Sequence, residues 1–243
     1  PVSNEVYFML PNSRLYSFID QKDGFTVHFF EGQKLIQDLA ILRNLGASGF
    51  HYFRDLILSI QPLVSYLKTG ESLGVYLDST SPYFSLKIEM SDEGQMRTLL
   101  LPDGFNQFPE KVNGNCRVVK MMPGQKSPYN SVLPLNDFDY REITNLILKD
   151  SYQINSKTII SSTSDQSVMI MKLPAININK IETNYVLSID EYWKKIESSF
   201  NSIFDSHITD ESQIHAILSS SGLTHLMSRD IYFKCSCSRR RMV

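Results

Sequence analysis

From Leu73 to Leu133 the hydrophobic period of the chain is close to two. The segments Leu73 to Asp78, Tyr83 to Met90, Gln95 to Leu101, Asn115 to Met121 and Tyr129 to Leu135 are rich in β-formers, and Gly94, Gly104, Gly114 and Gly124 punctuate them. Side chains along a strand point alternately to opposite faces, so this pattern fits antiparallel strands with one face on a core. The expectation is a meander whose apolar face is covered by helices supplied from elsewhere in the chain.

Both flanks carry candidates. Arg14 to Asp20 and Phe25 to Phe30, joined by Lys22-Asp23-Gly24, read as a hairpin. Leu35, Leu39 and Leu42, with Ile36 and Ala40 beside them, recur at helical spacing until Gly46. Phe50, Phe53, Ile57, Ile60, Val64 and Leu67 alternate steps of three and four before Gly70. Pro62 lies inside that run, removes a backbone donor and crowds the preceding turn, so a kink or break is expected near Ile60. A third helix is expected from Asp139 to Asp150, capped by Asp137 or Asp139, then strands Lys157 to Ser162 and Val168 to Leu173, with Pro174 ending the unit.

Ala175 to Asn184 is weakly patterned and reads as a boundary. Beyond it Tyr192, Trp193, Ile196 and Phe200 mark an amphipathic helix, and Ile214, Ile217 and Leu218 a shorter one after Thr209-Asp210-Glu211. With few apolar anchors this segment is expected to open more readily than the sheet core. The fold class is therefore α+β: a mostly antiparallel sheet packed with helices over residues 1–174, followed by a small helical linker over 175–233.

Composition removes several classes of function. A net charge of −2 over 243 residues supplies no global attraction for nucleic acid or an anionic membrane. No run approaches the roughly 20 apolar residues that span a bilayer, and Pro1 to Glu5 lacks a signal peptide's pattern, so the expected compartment is the cytoplasm. No Walker loop, dinucleotide fingerprint or Gly-x-Ser-x-Gly elbow occurs, and the five histidines show no metal-ligand spacing, so no enzyme is expected. Of the histidines, only His215 and His225 lie near enough to the C-terminal cysteines to substitute as zinc ligands.

Three cysteines, Cys116, Cys235 and Cys237, are too few and too unevenly placed for a secreted disulfide framework. Cys116 sits among β-formers and reads as a small buried hydrophobe. Cys235 and Cys237 stand one residue apart, between Lys234 and the run Arg239-Arg240-Arg241. Two such thiols supply half of a tetrahedral zinc site, and the cations favour the thiolate, which is both the ligand and the oxidisable form. A pair of unrelated exposed thiols is the alternative reading.

The segment Phe233-Lys234-Cys235-Ser236-Cys237-Ser238-Arg239 resembles the signature that opens the zinc-binding domain of the heat-shock 33 family. The order of elements, the helix Asn145-Leu146-Ile147-Leu148-Lys149-Asp150 and the ending Met169-Ile170-Met171-Lys172-Leu173-Pro174 are similar as well, so the likeness covers nearly the whole chain. It departs at Asp78-Ser79-Thr80-Ser81-Pro82, where a glycine-rich turn is common, and at Arg97-Thr98, where Arg-Gly is usual. The resemblance implies a redox-regulated, ATP-independent chaperone that binds unfolded client proteins and forms a homodimer when active. It further implies that Cys235 and Cys237 are zinc ligands and redox switch together, that 234–243 begins a zinc domain, and that the completing Cys-x-x-Cys either lies past Val243 or has been lost from this protein.

Losing a structural zinc removes on the order of 10 kcal/mol of apparent binding energy, enough to melt a marginal helical segment. The client-binding surface would then include Trp193, Ile196, Phe200 and Ile217, with the sheet positions they had covered. A nucleic-acid reading, with Arg239, Arg240 and Arg241 clamping phosphates, is the alternative; no aromatic residues are interleaved with those arginines for base stacking. A thiol oxidoreductase fits less well, because Cys-x-Cys lacks the two-residue spacing of the usual dithiol motif.

Overall fold

The N-terminal hairpin forms as expected, and its burial organises the molecule. In the computed structural model, which describes residues 10–42, 45–174, 177–178, 181–182 and 187–234, β1 (Arg14–Asp20) pairs antiparallel with β2 (Phe25–Glu31). Gly24 closes the turn at φ 74°, a left-handed conformation that glycine adopts without strain. Nearly every residue of β2 is buried, so both of its faces meet apolar surface. Leu15 and Phe30 point into one core, whereas Phe18, Phe25, Val27 and Phe29 point into another.

The first core is filled from α1 (Gln33–Leu42), α2 (Ala47–Ile60) and the strands that follow them. The break expected at Pro62 is present: α2 ends at Ile60 and continues as a 3-10 helix, Gln61–Tyr66, with the proline at its start. The proline offers the Leu58 carbonyl no N–H, and the Ser167 hydroxyl donates to that carbonyl at 2.6 Å instead. Next come β3 (Ser72–Ser81), β4 (Tyr83–Ser91), β5 (Gln95–Leu101), β6 (Lys111–Met121) and β7 (Tyr129–Asp139).

These strands do not form the simple meander that their spacing suggests. β3, β4 and β5 do, but β6 crosses back to pair with the free side of β3, and β7 follows it outward. The connection across residues 102–110 is pinned to α2. Phe105 is buried against Tyr52 and Phe84, and the Gly49 N–H donates to Asn106 Oδ1 at 3.1 Å. A Cβ on Gly49 would lie 2.0 Å from the Phe105 carbonyl oxygen, so only glycine lets the loop approach the helix this closely.

Asp139 caps a 3-10 turn, Tyr140–Glu142, by accepting from the Arg141 N–H; α3 (Ile143–Tyr152) then leads into β8 (Ser156–Ile160) and β9 (Gln166–Lys172). β9 joins β2. A two-residue pairing, β10 (Asn177–Ile178) with β11 (Ile181–Glu182), precedes α4 (Ile189–Asp205) and α5 (Glu211–Ser220).

The segment expected to be helical as far as residue 233 also contains strands. β12 (Thr224–Asp230) pairs antiparallel with β1, and β13 (Tyr232–Phe233) pairs parallel with β5. The completed sheets are β12-β1-β2-β9-β8 and β13-β5-β4-β3-β6-β7. The five-stranded sheet has the first core on one face and α4 with α5 on the other. Mostly antiparallel sheets with segregated helices make this an α+β fold.

Candidate functional site

The covered outer face of the five-stranded sheet carries the most concentrated aromatic surface of the second core. Successive odd positions of β2 present Phe25, Val27 and Phe29, and β1 adds Phe18. Above them α4 runs from a capping box, in which Ser188 and Glu191 satisfy each other's backbone N–H groups. It buries Tyr192, Ile196, Phe200, Ile203 and Phe204, more anchors than the sequence pattern suggested. Tyr192 stacks on Phe25 at 3.9 Å between centroids and 7° between planes. Phe200 lies 6.0 Å from Phe29 and 5.9 Å from Trp193. α5, capped by Asp210, adds Ile214 and Leu218.

All four residues expected to bind clients belong to this cluster. Ile196 and Phe200 are fully buried, while Trp193 and Ile217 are half-buried at its margin. In this arrangement they pack against the sheet, and only Trp193 and Ile217 of the four keep some exposure. The aromatic floor, which sequence reasoning left unassigned, was traceable only through the unusually apolar run Phe25-Thr26-Val27-His28-Phe29-Phe30, too apolar for a strand with one wet face.

Polar contacts seal the margin. The Tyr192 hydroxyl and the Lys195 ammonium both donate to Asp20 Oδ2 at 3.3 Å, and Lys195 also pairs with Asp23. Lys157 reaches Asp190 at 2.5 Å, and Lys172 donates to the Leu187 carbonyl at 2.8 Å. Burial first, then the neighbouring Asp20 carboxylate, raise the Tyr192 pKa, so the phenol stays a donor. At the other end Arg14 bridges Glu211 and Asp230, holding α5 and β12 to β1.

Burying one large apolar side chain contributes about 1.5–3 kcal/mol, so lifting both helices at once costs more than a typical surface fluctuation supplies. Ion pairs on the margin add little each, because water screens them.

The sulfur chemistry divides in two. Cys116 is buried in β6 opposite Leu77 and Leu133, and desolvation pushes its thiol up to about 12, so it stays protonated at neutral pH. Cys235 and Cys237, with Arg239, Arg240 and Arg241, lie outside the described residues. Lys234 is the last residue before them, and its N–H donates to the Met96 carbonyl at 2.9 Å, continuing the β13 pairing. Among the described residues no group of three or more His, Cys, Asp or Glu side chains is placed to hold a metal. His215 and His225 do come together, 4.3 Å apart, but as packed rings. His28 is buried with Nδ1 2.9 Å from Ser17 Oγ, and desolvation holds its pKa down at about 4.

Comparison with known proteins agrees with this architecture. A 33 kDa chaperonin of Geobacter sp. (strain M21) is 25% identical over 190 residues, 73% of this chain and 64% of that protein. The 33 kDa chaperonin of Citrifermentans bemidjiense is 26% identical over 188 residues, 72% of this chain and 63% of its own. The match thus spans under two thirds of either relative. The crystal structure of the 33 kDa chaperonin (heat shock protein 33 homolog) from Thermotoga maritima superposes with a TM-score of 0.67 at 14% identity, over 96% of this chain and 83% of that one, and shows the same fold. The family model described as Hsp33 protein matches residues 13–243, from the start of β1 through the Cys-x-Cys segment, and the chain therefore belongs to the Hsp33 family.

Proposed function

We propose that this chain is the client-holding part of an ATP-independent molecular chaperone, not an enzyme, and that its client surface is the apolar face now roofed by α4 and α5. The observation that carries this reading is that one face of the five-stranded sheet is lined with Phe18, Phe25, Val27 and Phe29 and covered by elements that enter from residue 187 onward. Removing the cover would expose a contiguous aromatic patch on a sheet that keeps its other face packed. Such a patch binds unfolded chains without regard to their sequence.

The switch in this reading is oxidation of Cys235 and Cys237. Two thiolates one residue apart fit half of a tetrahedral zinc site, and the buried, protonated Cys116 is not a third ligand. Cys235 and Cys237 would hold zinc together with two further ligands, and the metal would supply a cross-link in the chain that follows β12 and β13. A peroxide, reduced to water as the two thiolates form a disulfide, would remove the ligands, and the cross-link would be lost. A dimer of active chains and a cytoplasmic location belong to the same proposal. Among the described residues no helix is long and apolar enough to cross a membrane.

Light scattering of a thermally unfolding test protein, with this chain reduced and zinc-loaded or peroxide-treated, is the direct test. Suppression of aggregation on oxidation, together with zinc release, is expected; equal scattering in both states, with and without added chain, refutes the reading. Binding through Arg239, Arg240 and Arg241 to RNA is the competing outcome, and it would weaken steeply with salt where apolar client binding would not.

A further inference from the structure

One end of the cover is closed by two imidazoles from different elements. His215 of α5 and His225 of β12 pack with ring centroids 4.3 Å apart at 67°. Both rest on Phe18 of β1, at 5.7 and 5.4 Å, and His215 also meets Tyr16 edge-on at 5.6 Å. This contact joins the second helix of the cover, the edge strand and the sheet beneath them.

Burial and its surroundings favour the neutral form of His215. His215 Nε2 is buried without a hydrogen-bond partner, 3.7 Å from Glu211 Oε1. The charged and titratable groups around the pair are Arg14 and Tyr16 from β1, Glu211 from α5 and Asp230 from β12. Arg14, although paired with Glu211 and Asp230, still adds positive potential beside His215. Burial first, then His225, lower the His215 pKa from its ordinary 6.5; Arg14 acts in the same direction and Glu211 opposes. A proton on one ring makes a second proton 4.3 Å away unfavourable, and opening the contact relieves both penalties.

We propose that the His215–His225 contact is an acid-labile latch, whose protonation releases α5 and β12 from β1 and uncovers the apolar sheet face with no change at the cysteines. The purpose of the latch rests on the reading of that face as the client surface; its existence does not. The sign follows from the His215 shift. A histidine with a lowered folded pKa stabilises the closed form fully above its unfolded pKa, and that contribution is lost as pH falls. Each proton taken up on opening multiplies the opening constant by up to about tenfold per pH unit.

The test uses the full chain, reduced throughout. Native-state hydrogen exchange, corrected for intrinsic rates, is followed between pH 7.5 and 5.5 together with emission of Trp193, the single tryptophan. Opening of residues 211–230 is expected to rise by up to about tenfold over this range, and the rise to be lost in His215→Gln/His225→Gln and reduced in His225→Gln alone, which removes one of the causes that lower the His215 pKa. Because His225 is exposed, the single variant keeps the fold and serves if the double variant does not. The same rise in the variants, or a rise shared equally by α2 and β3 to β7, overturns the latch and points to global acid unfolding through buried His28. Aggregation suppression by the reduced chain at pH 5.5 separates the two ideas. An open latch without suppression leaves the latch standing and removes the client reading; a shut latch with oxidation-dependent suppression does the reverse.

Discussion

The two apolar cores on either side of the five-stranded sheet are built from similar side chains but are closed in different ways. The first is walled by a second sheet and knitted by interior contacts. Tyr52 of α2 touches Phe84, Phe105, Phe108 and Tyr140, and Thr144 of α3 bonds to Ser59 of α2. The second is roofed by two helices that follow the sheet's β9 in sequence, and its cross-links lie at the margin, at Arg14, Lys157 and Lys195. Under the proposed function the second covering is the one that is lifted, while the first core still holds the sheet.

Truncations inside each core should break this comparison most forcefully if it is wrong. Phe53→Ala and Phe200→Ala each remove a buried phenyl ring, a change that costs about 3–5 kcal/mol. In Phe53→Ala the loss is expected in every protected amide. In Phe200→Ala it should appear as faster exchange over 187–230, with β3 to β7 nearly unchanged. Equal loss across the chain in both variants would mean a single cooperative unit.

Glu31 sharpens the comparison, because it belongs to the shared sheet. Burial, reinforced by Asp165, raises its pKa to about 7, against a backbone hydrogen bond from Gln33 that lowers it. A raised carboxyl stabilises the fold below its unfolded pKa, and that contribution disappears as pH rises through the folded value. Glu31→Gln should therefore stabilise the protein by about 1–3 kcal/mol at pH 8 and hardly at all at pH 4, measured by urea denaturation. Both cores should register the gain.

The smallest effect is confined to the roof. Ser188→Ala removes the reciprocal cap of α4 and should cost about 1 kcal/mol of local stability. Exchange at the first turn of α4 is the measurement, and the first core should not respond.

Elements whose signals are local were legible in the sequence. The turn at Gly24, the break at Pro62 and the Asp210 start of α5 depend on backbone chemistry that a few residues carry by themselves. β12 was not legible, since Thr224-His225-Leu226-Met227-Ser228-Arg229-Asp230 forms a strand with one neighbour among the described residues and little burial, so no alternation marks it. The return of β6 to β3 was hidden for a related reason: strand spacing shows that a chain can pair, while the choice of partner rests on the docking of Phe105 and Asn106 against α2. Of the candidate site, Trp193, Ile196, Phe200 and Ile217 could be named in advance because helical periodicity exposes an apolar stripe. Their target could not, because a sheet's second apolar face leaves no periodic signature.

By itself the sequence determined the α+β character, the helix and hairpin positions and the Cys-x-Cys segment that carries the family likeness. Only the tertiary structure decided that β2 divides its side chains between two cores, that α4 and α5 roof one of them, and that His215 meets His225 across two elements. Local propensity acts over a few residues, whereas these arrangements are chosen by apolar burial summed between segments far apart in the chain.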